Sequence, residues 1–167
     1  MISIRQAKRE DDGDIWAILE PMIRAGETYA LPRSLSREEA LAYWHAAGNT
    51  VFLAEEDGPV VGTYILRANQ QGGGAHVCNC GYVTAPFATG RGVASAMCRD
   101  SVTRATAAGF RAMQFNFVVS TNERAVNLWK RHGFEIVGTV PKAFLHPRAG
   151  YVDVFVMFRS FCGGNPS

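Results

Sequence analysis

Apolar residues recur along the chain at two spacings, every three to four positions in some stretches and every second position in others. Alternation between these two periods predicts a mixed α/β domain. Residues 3–7 read as an opening strand, followed by the acidic turn 11–14. Behind that turn Ile15, Ile18, Leu19, Met22 and Ile23 fall on one helical face, with Asp14 placed to cap the helix. Ser36 and Glu39 form a capping box ahead of a second helix that carries Leu41 and Trp44. Segments 51–55 and 60–66 are strands joined through Glu56-Asp57-Gly58-Pro59, a hairpin signal. Residues 76–84 alternate as a further strand, and Pro86, which has no amide hydrogen to donate, ends its ladder. A helix over 93–108 stops at Gly109, a strand covers 113–119, and a helix over 122–132 stops at Gly133. Strands at 134–140 and 151–158 complete the series, and 161–167 read as a flexible tail.

With 167 residues, 47% hydrophobic and 19% charged, the chain suits one domain over 1–160 that needs no disulfide or metal to hold it. No apolar run reaches the ~18–20 residues of a membrane span, and the first residues lack the apolar core of a secretory signal. Seventeen basic against fifteen acidic residues leave +2, far from the charge density of a nucleic-acid binder. Cys78, Cys80, Cys98 and Cys162 form no CxxC pair and read as reduced thiols. The expectation is a cytoplasmic protein without nucleic-acid or membrane partners.

The most specific segment is Thr84-Ala-Pro-Phe-Ala-Thr-Gly-Arg-Gly-Val-Ala94, lying between a strand and a helix. Gly90 and Gly92 let the backbone turn tightly and approach a ligand. The helix that follows offers unpaired N–H groups and the positive end of its dipole, a setting for a pyrophosphate to which Arg91 adds a cation. On the loop alone, a plain strand-to-helix turn explains it equally well. It is not a Walker loop, because GxxxxGK[ST] is missing, nor does it open a dinucleotide fold.

This segment resembles the acetyl-CoA loop of the GCN5-related N-acetyltransferase (GNAT) superfamily, V-x-P-x-x-Q/R-G-x-G-x-G/A. Here that pattern reads Thr84-x-Pro86-x-x-Thr89-Gly90-x-Gly92-x-Ala94. A second segment, Asn122-x-x-Ala125-x-x-Leu128-Trp129-x-x-x-Gly133-Phe134, is similar to the family's N-x-x-A-x-x-L-Y-x-x-x-G-F. The resemblance implies a central sheet of 6–7 mostly antiparallel strands, flanked by about four helices and splayed at the acetyl-CoA site. It implies acetyl-CoA as co-substrate, held by Val83, Thr84, Thr89, Gly90, Arg91, Gly92, Val93, Ala94 and Ser95, with Asn122 and Trp129 beside the pantetheine arm. It implies a homodimer, and no metal is expected. Trp129 stands where the family often has the tyrosine that protonates the leaving thiolate, and an indole N–H is far too weak an acid for that. Residues 75–85 contain no carboxylate, so the usual glutamate base is missing too.

His76, Cys78, Cys80, Tyr82 and Thr84 share one face of their strand, while Val77, Asn79, Gly81 and Val83 share the other. Gln114, Asn116, Val118 and Ser120 oppose the apolar Met113, Phe115, Phe117 and Val119 on the next strand. Asn79 and Asn116 are unusual strand residues, placed either to satisfy buried backbone or to line an acceptor cleft. The runs 76–82 and 115–122 are similar to a yeast branch of the superfamily that acetylates azetidine-2-carboxylate and related proline analogues. That likeness implies a carboxylate held by Asn79 and Asn116. Tyr82 is a further candidate for the chemistry. Same-face positions on one strand lie ~6.5–7 Å apart, too far for His76, Cys78 and Cys80 to make a compact metal site alone.

The expectation is an N-acetyltransferase that moves acetyl to the amine of a small molecule, foremost an amino or imino (proline-like) acid, by direct attack in a ternary complex. The alternatives are a protein N-terminus, an antibiotic or a phosphinothricin-like acceptor, or a non-catalytic CoA-binding regulatory module.

Overall fold

A computed structural model describes residues 1–162. Its elements run β1 (Ile2–Gln6), α1 (Asp12–Ala25), α2 (Arg37–Trp44), β2 (Thr50–Glu56), β3 (Val60–Ala68), β4 (Val77–Thr84), α3 (Val93–Ala107), β5 (Ala112–Val119), α4 (Glu123–Arg131), β6 (Glu135–His146) and β7 (Gly150–Ser160). The seven strands form one sheet in the order β1-β2-β3-β4-β5-β7-β6, in which only β4 and β5 pair in parallel. This is the mixed, mostly antiparallel architecture expected above.

Local chemistry explains most element boundaries. Asp57 (φ 54°) and Gly58 (φ 113°) both take positive φ at the β2–β3 turn, as a two-residue hairpin with the right twist requires. The capping box at α2 is reciprocal: Ser36 N–H donates to Glu39 Oε2 at 2.8 Å, and Glu39 N–H to Ser36 Oγ at 3.2 Å. Helix α1 starts two residues before the expected cap, so Asp14 lies inside its first turn. Asp11 is turned back instead, accepting the Lys8 N–H at 2.7 Å and both terminal nitrogens of Arg5 at 2.8 Å. The β6–β7 hairpin is longer than expected, its pairing continuing through Phe144↔Val152 to His146↔Gly150. Pro141 and the positive φ of Lys142 break the alternation there without ending the ladder. His146 Nδ1 accepts the N–H groups of Arg148 and Ala149 and folds the turn. Phe161, expected in the tail, donates its N–H to Arg111 C=O at 2.9 Å. Residues 163–167 of that tail lie outside the described residues.

The two faces of the sheet carry different layers. Thr63 looks toward α2, accepting the indole N–H of the fully buried Trp44 at 3.0 Å. Tyr64, on the opposite face, donates to Asp100 of α3 at 2.6 Å. Gly62 lets α3 sit close, since a Cβ there would fall 2.9 Å from Val93 Cγ1 and 3.0 Å from Met97. The feature that positions the site is a break between neighbours. Strands β4 and β5 pair only at Val77↔Ala112 and Cys78↔Met113, and no ladder joins them beyond.

Candidate active site

Where β4 and β5 part, backbone polar groups lose their partners. Val77 C=O and Ala85 N–H both bond to the β3 side, and the register between them is unbroken. By antiparallel alternation, Cys80, Tyr82 and Thr84 turn their N–H and C=O groups the other way, into the gap. A cleft of about 740 Å³ opens there, lined on the sheet side by Asn79–Thr84 and by Phe115–Val119. Asn116 and Phe117 occupy a register shift of the β5–β7 ladder, which leaves both exposed at the cleft.

One end of the cleft is built from the glycine loop. Gly90 (φ 84°) and Gly92 (φ 83°) both hold left-handed conformations that side-chain-bearing residues rarely adopt. Gly92 caps α3, whose first bond back to the loop is Ala96 N–H to Gly92 C=O. The N–H groups of Val93, Ala94 and Ser95 therefore have no intrahelical acceptors. Thr89, Gly90 and Gly92 line the cleft together with these three residues and with Val83 and Thr84. Bare amides at a helix start with an open, side-chain-free approach suit the phosphates of acetyl-CoA. Ser95 Oγ also contacts His132 Nε2 at 2.8 Å and Arg99 at 3.0 Å. Arg91 is not among the lining residues; its guanidinium pairs with Glu56. The cations that do line the cleft from α4 are Arg124, 3.7 Å from where a Gly90 Cβ would lie, and Arg131. Asn122 caps α4, its Oδ1 accepting the Ala125 N–H at 3.4 Å. Trp129 packs its ring 4.9 Å from Tyr82 and 5.1 Å from Phe115, forming an apolar wall.

The other end is polar. Asn79 Nδ2 donates to Gln114 C=O at 2.9 Å, so a side chain bridges the strands just past the last ladder pair. Arg67, its cross-strand partner on β3, donates from Nε to Asn79 Oδ1 at 3.4 Å. Asn116 accepts from Gln114 Nε2 at 3.0 Å and donates to Asn69 Oδ1 at 2.6 Å. Tyr29, from the α1–α2 connection, donates its hydroxyl to Tyr82 C=O at 3.3 Å. Gly81 makes room for it, since a Cβ there would lie 2.8 Å from that hydroxyl. Arg148 of the β6–β7 turn donates to Glu27 at 2.6 Å, tying that turn to the α1–α2 connection that carries Tyr29.

The Tyr82 phenol points away from the polar end, bonded to Ser101 Oγ on α3 at 2.8 Å. Burial pushes its pKa well up, and the structure does not bring it together with Asn79 and Asn116. Burial likewise pushes the Cys78 thiol up to about 12 and raises Cys80 well above its ordinary value, so neither is a ready nucleophile. Among the described residues, those lining the cleft include no Asp, Glu or His.

Sequence reasoning missed Arg67 and Arg124, and it read Tyr29 as core or pocket wall without its hydrogen bond to Tyr82 C=O. Arg67 was reachable in principle, since it shares the alternation of β3 with the apolar Ile65. Its facing Asn79, however, depends on a strand register that no local pattern states. Tyr29 lies in an irregular loop with no periodicity to orient it.

The pattern of the Acetyltransferase (GNAT) family matches residues 16–134. A GCN5-related N-acetyltransferase from Kribbella flavida is 40% identical, with 96% of this chain and 98% of that one covered and a TM-score of 0.90. N-acetyltransferase aca1 of Schizosaccharomyces pombe is 24% identical over 151 residues, 80% of this chain and 72% of that protein. A phosphinothricin acetyltransferase from Sinorhizobium meliloti, solved in complex with acetyl-CoA, has the same fold at 21% identity. Its TM-score is 0.84 over 99% of this chain and 93% of its own.

Proposed function

The chain belongs to the acetyltransferase (GNAT) family, and from that premise we propose that its acceptor is the amine of a small amino or imino acid. That it is an acetyl-CoA-dependent acetyltransferase follows from the family, together with the 40% identical GNAT relative. The finer reading rests on one observation: the cleft ends in a polar floor of Arg67, Asn79 and Asn116, suited to the polar end of a small acceptor.

Acetyl-CoA, when bound, supplies an acetyl thioester whose acyl carbon bonds to the acceptor nitrogen as the carbon–sulfur bond breaks. The chain's part is largely positional. The first-turn amides of α3 hold the anionic end of the co-substrate, and Trp129 and Phe115 wall the apolar passage. The N–H groups of Tyr82 and Thr84 offer donors to an oxygen in the gap, and such donors act where negative charge develops. With no carboxylate or histidine lining the cleft, the amine gives up its proton to water before attack, and solvent returns one to the thiolate. Orientation of well-placed reactants contributes up to ~7–11 kcal/mol. The reading includes a cytoplasmic location, a homodimer and no metal.

The test is incubation with acetyl-CoA and a pool of amino acids, imino acids, peptides and antibiotic amines, with products read by mass. Acetylated amino or imino acids as the main products support the reading. Acetylated peptides or antibiotics in their place overturn it.

A further inference from the structure

Arg67 lines the cleft from the sheet, half buried, and no carboxylate lies within ion-pairing reach of it among the described residues. Arg124 and Arg131 of α4 also line the cleft without such a partner among the described residues, and what sets Arg67 apart is its place at the polar end, beside Asn79 and Asn116. A guanidinium partly withdrawn from water without a counter-ion is an unfavourable arrangement unless an anion arrives to complete it. Its Nε is engaged by Asn79 Oδ1, which leaves both terminal nitrogens free. Those two form the fork that matches the two oxygens of a carboxylate.

The neighbouring amides are already at work. Asn79 spends a donor on Gln114 C=O, and Asn116 is held by Gln114 on one side and Asn69 on the other. Being neutral, they separate a carboxylate from a carboxamide far less sharply than a cation does. Resting on the functional reading above, we infer that Arg67 sets the chemical class of the acceptor. Its terminal nitrogens grip an acceptor carboxylate, and Asn79 and Asn116 are positioning residues that brace the grip. Three residues of β4, about 10 Å, separate Asn79 from Tyr82. The acceptor lies within that span, its carboxylate on the Arg67 terminal nitrogens and its amine toward the gap beside the N–H groups of Tyr82 and Thr84. The acceptor class this assigns is an amine that also carries a carboxylate.

The experiment compares the parent enzyme with Arg67→Gln and Arg67→Lys. Acceptors are amino and imino acids and their carboxamides, and the KM for acetyl-CoA is measured alongside. The parent should prefer the acid over the amide by about tenfold or more. Arg67→Gln should lose about 10- to 100-fold in kcat/KM for the acid and little for the amide, with acetyl-CoA KM within about twofold of the parent. Arg67→Lys, which keeps the charge but not the fork, should fall between the two. An acid preference that survives in Arg67→Gln overturns the role of Arg67 and leaves the functional reading standing. A parent enzyme that acetylates no free amino or imino acid overturns both. Equal loss on acid and amide also overturns the assignment, and unchanged acetyl-CoA KM separates that result from misfolding.

Discussion

Replacing Asn79 by alanine probes the point where the sheet opens. The side chain is 8% exposed and spans from β4 to Gln114 C=O on β5 at 2.9 Å, one residue beyond the last backbone pair of the parallel ladder. Alanine removes that bond, orphans a carbonyl and releases Arg67 Nε. The loss of one hydrogen bond with a buried acceptor left unpaired is about 2 kcal/mol, or roughly 4–8 °C in melting temperature for a domain of this size. With Arg67 no longer braced, the acceptor KM should rise about tenfold, a difference of ~1.4 kcal/mol. The acetyl-CoA KM should stay within about twofold, because the glycine loop lies at the other end of the cleft. Thermal denaturation and steady-state kinetics with each substrate varied provide both numbers. A melting temperature within about 1 °C of the parent refutes the bridging role. Equal increases in the two KM values refute the assignment of this end to the acceptor.

Three other outcomes follow from the same contacts. Gly62→Ala places a methyl 2.9 Å from Val93 and 3.0 Å from Met97. It should cost about 1–3 kcal/mol by overpacking and raise the acetyl-CoA KM more than that of the acceptor, as calorimetry and kinetics would register. Asp11, held by the Arg5 guanidinium, has its pKa lowered from 3.8 to about 2. Its contribution is fully present above pH 3.8 and lost as pH falls through about 2, so the melting-temperature gap between the parent and Asp11→Asn should be constant near neutrality and close across that window. Iodoacetamide at neutral pH should label Cys162 and spare Cys78, Cys80 and Cys98, which are buried, with activity retained. Rapid loss of activity on labelling would point to a cysteine in the chemistry.

What was legible from sequence was what local chemistry dictates. The glycine loop, the α4 helix stopped at Gly133, the Asp57-Gly58 hairpin and the reciprocal box at Ser36 and Glu39 each depend on residues a few positions apart, and each stands where expected. Contacts between distant segments were not legible. Arg91 looks like a phosphate ligand until β2 brings Glu56 beside it. Asp14 looks like a helix cap until Arg5, six residues before Asp11, claims the earlier carboxylate and moves the helix start. Alternation assigned Asn79 and Asn116 to strand faces and the family resemblance set those faces at the cleft, but their partners Arg67 and Asn69 come from the end of β3 and the turn after it. Only the register of β3 with β4 and the proximity of β5 set those distances.

The measurement that bears most directly on direct transfer at the strand gap is an initial-rate grid in acetyl-CoA and the best amino or imino acid acceptor. If the proposed reading holds, with both substrates meeting in one cleft whose lining thiol, Cys80, is held protonated by burial, double-reciprocal plots should intersect. Parallel lines, the pattern of an acetylated enzyme intermediate, would contradict the account and send the search to a nucleophile.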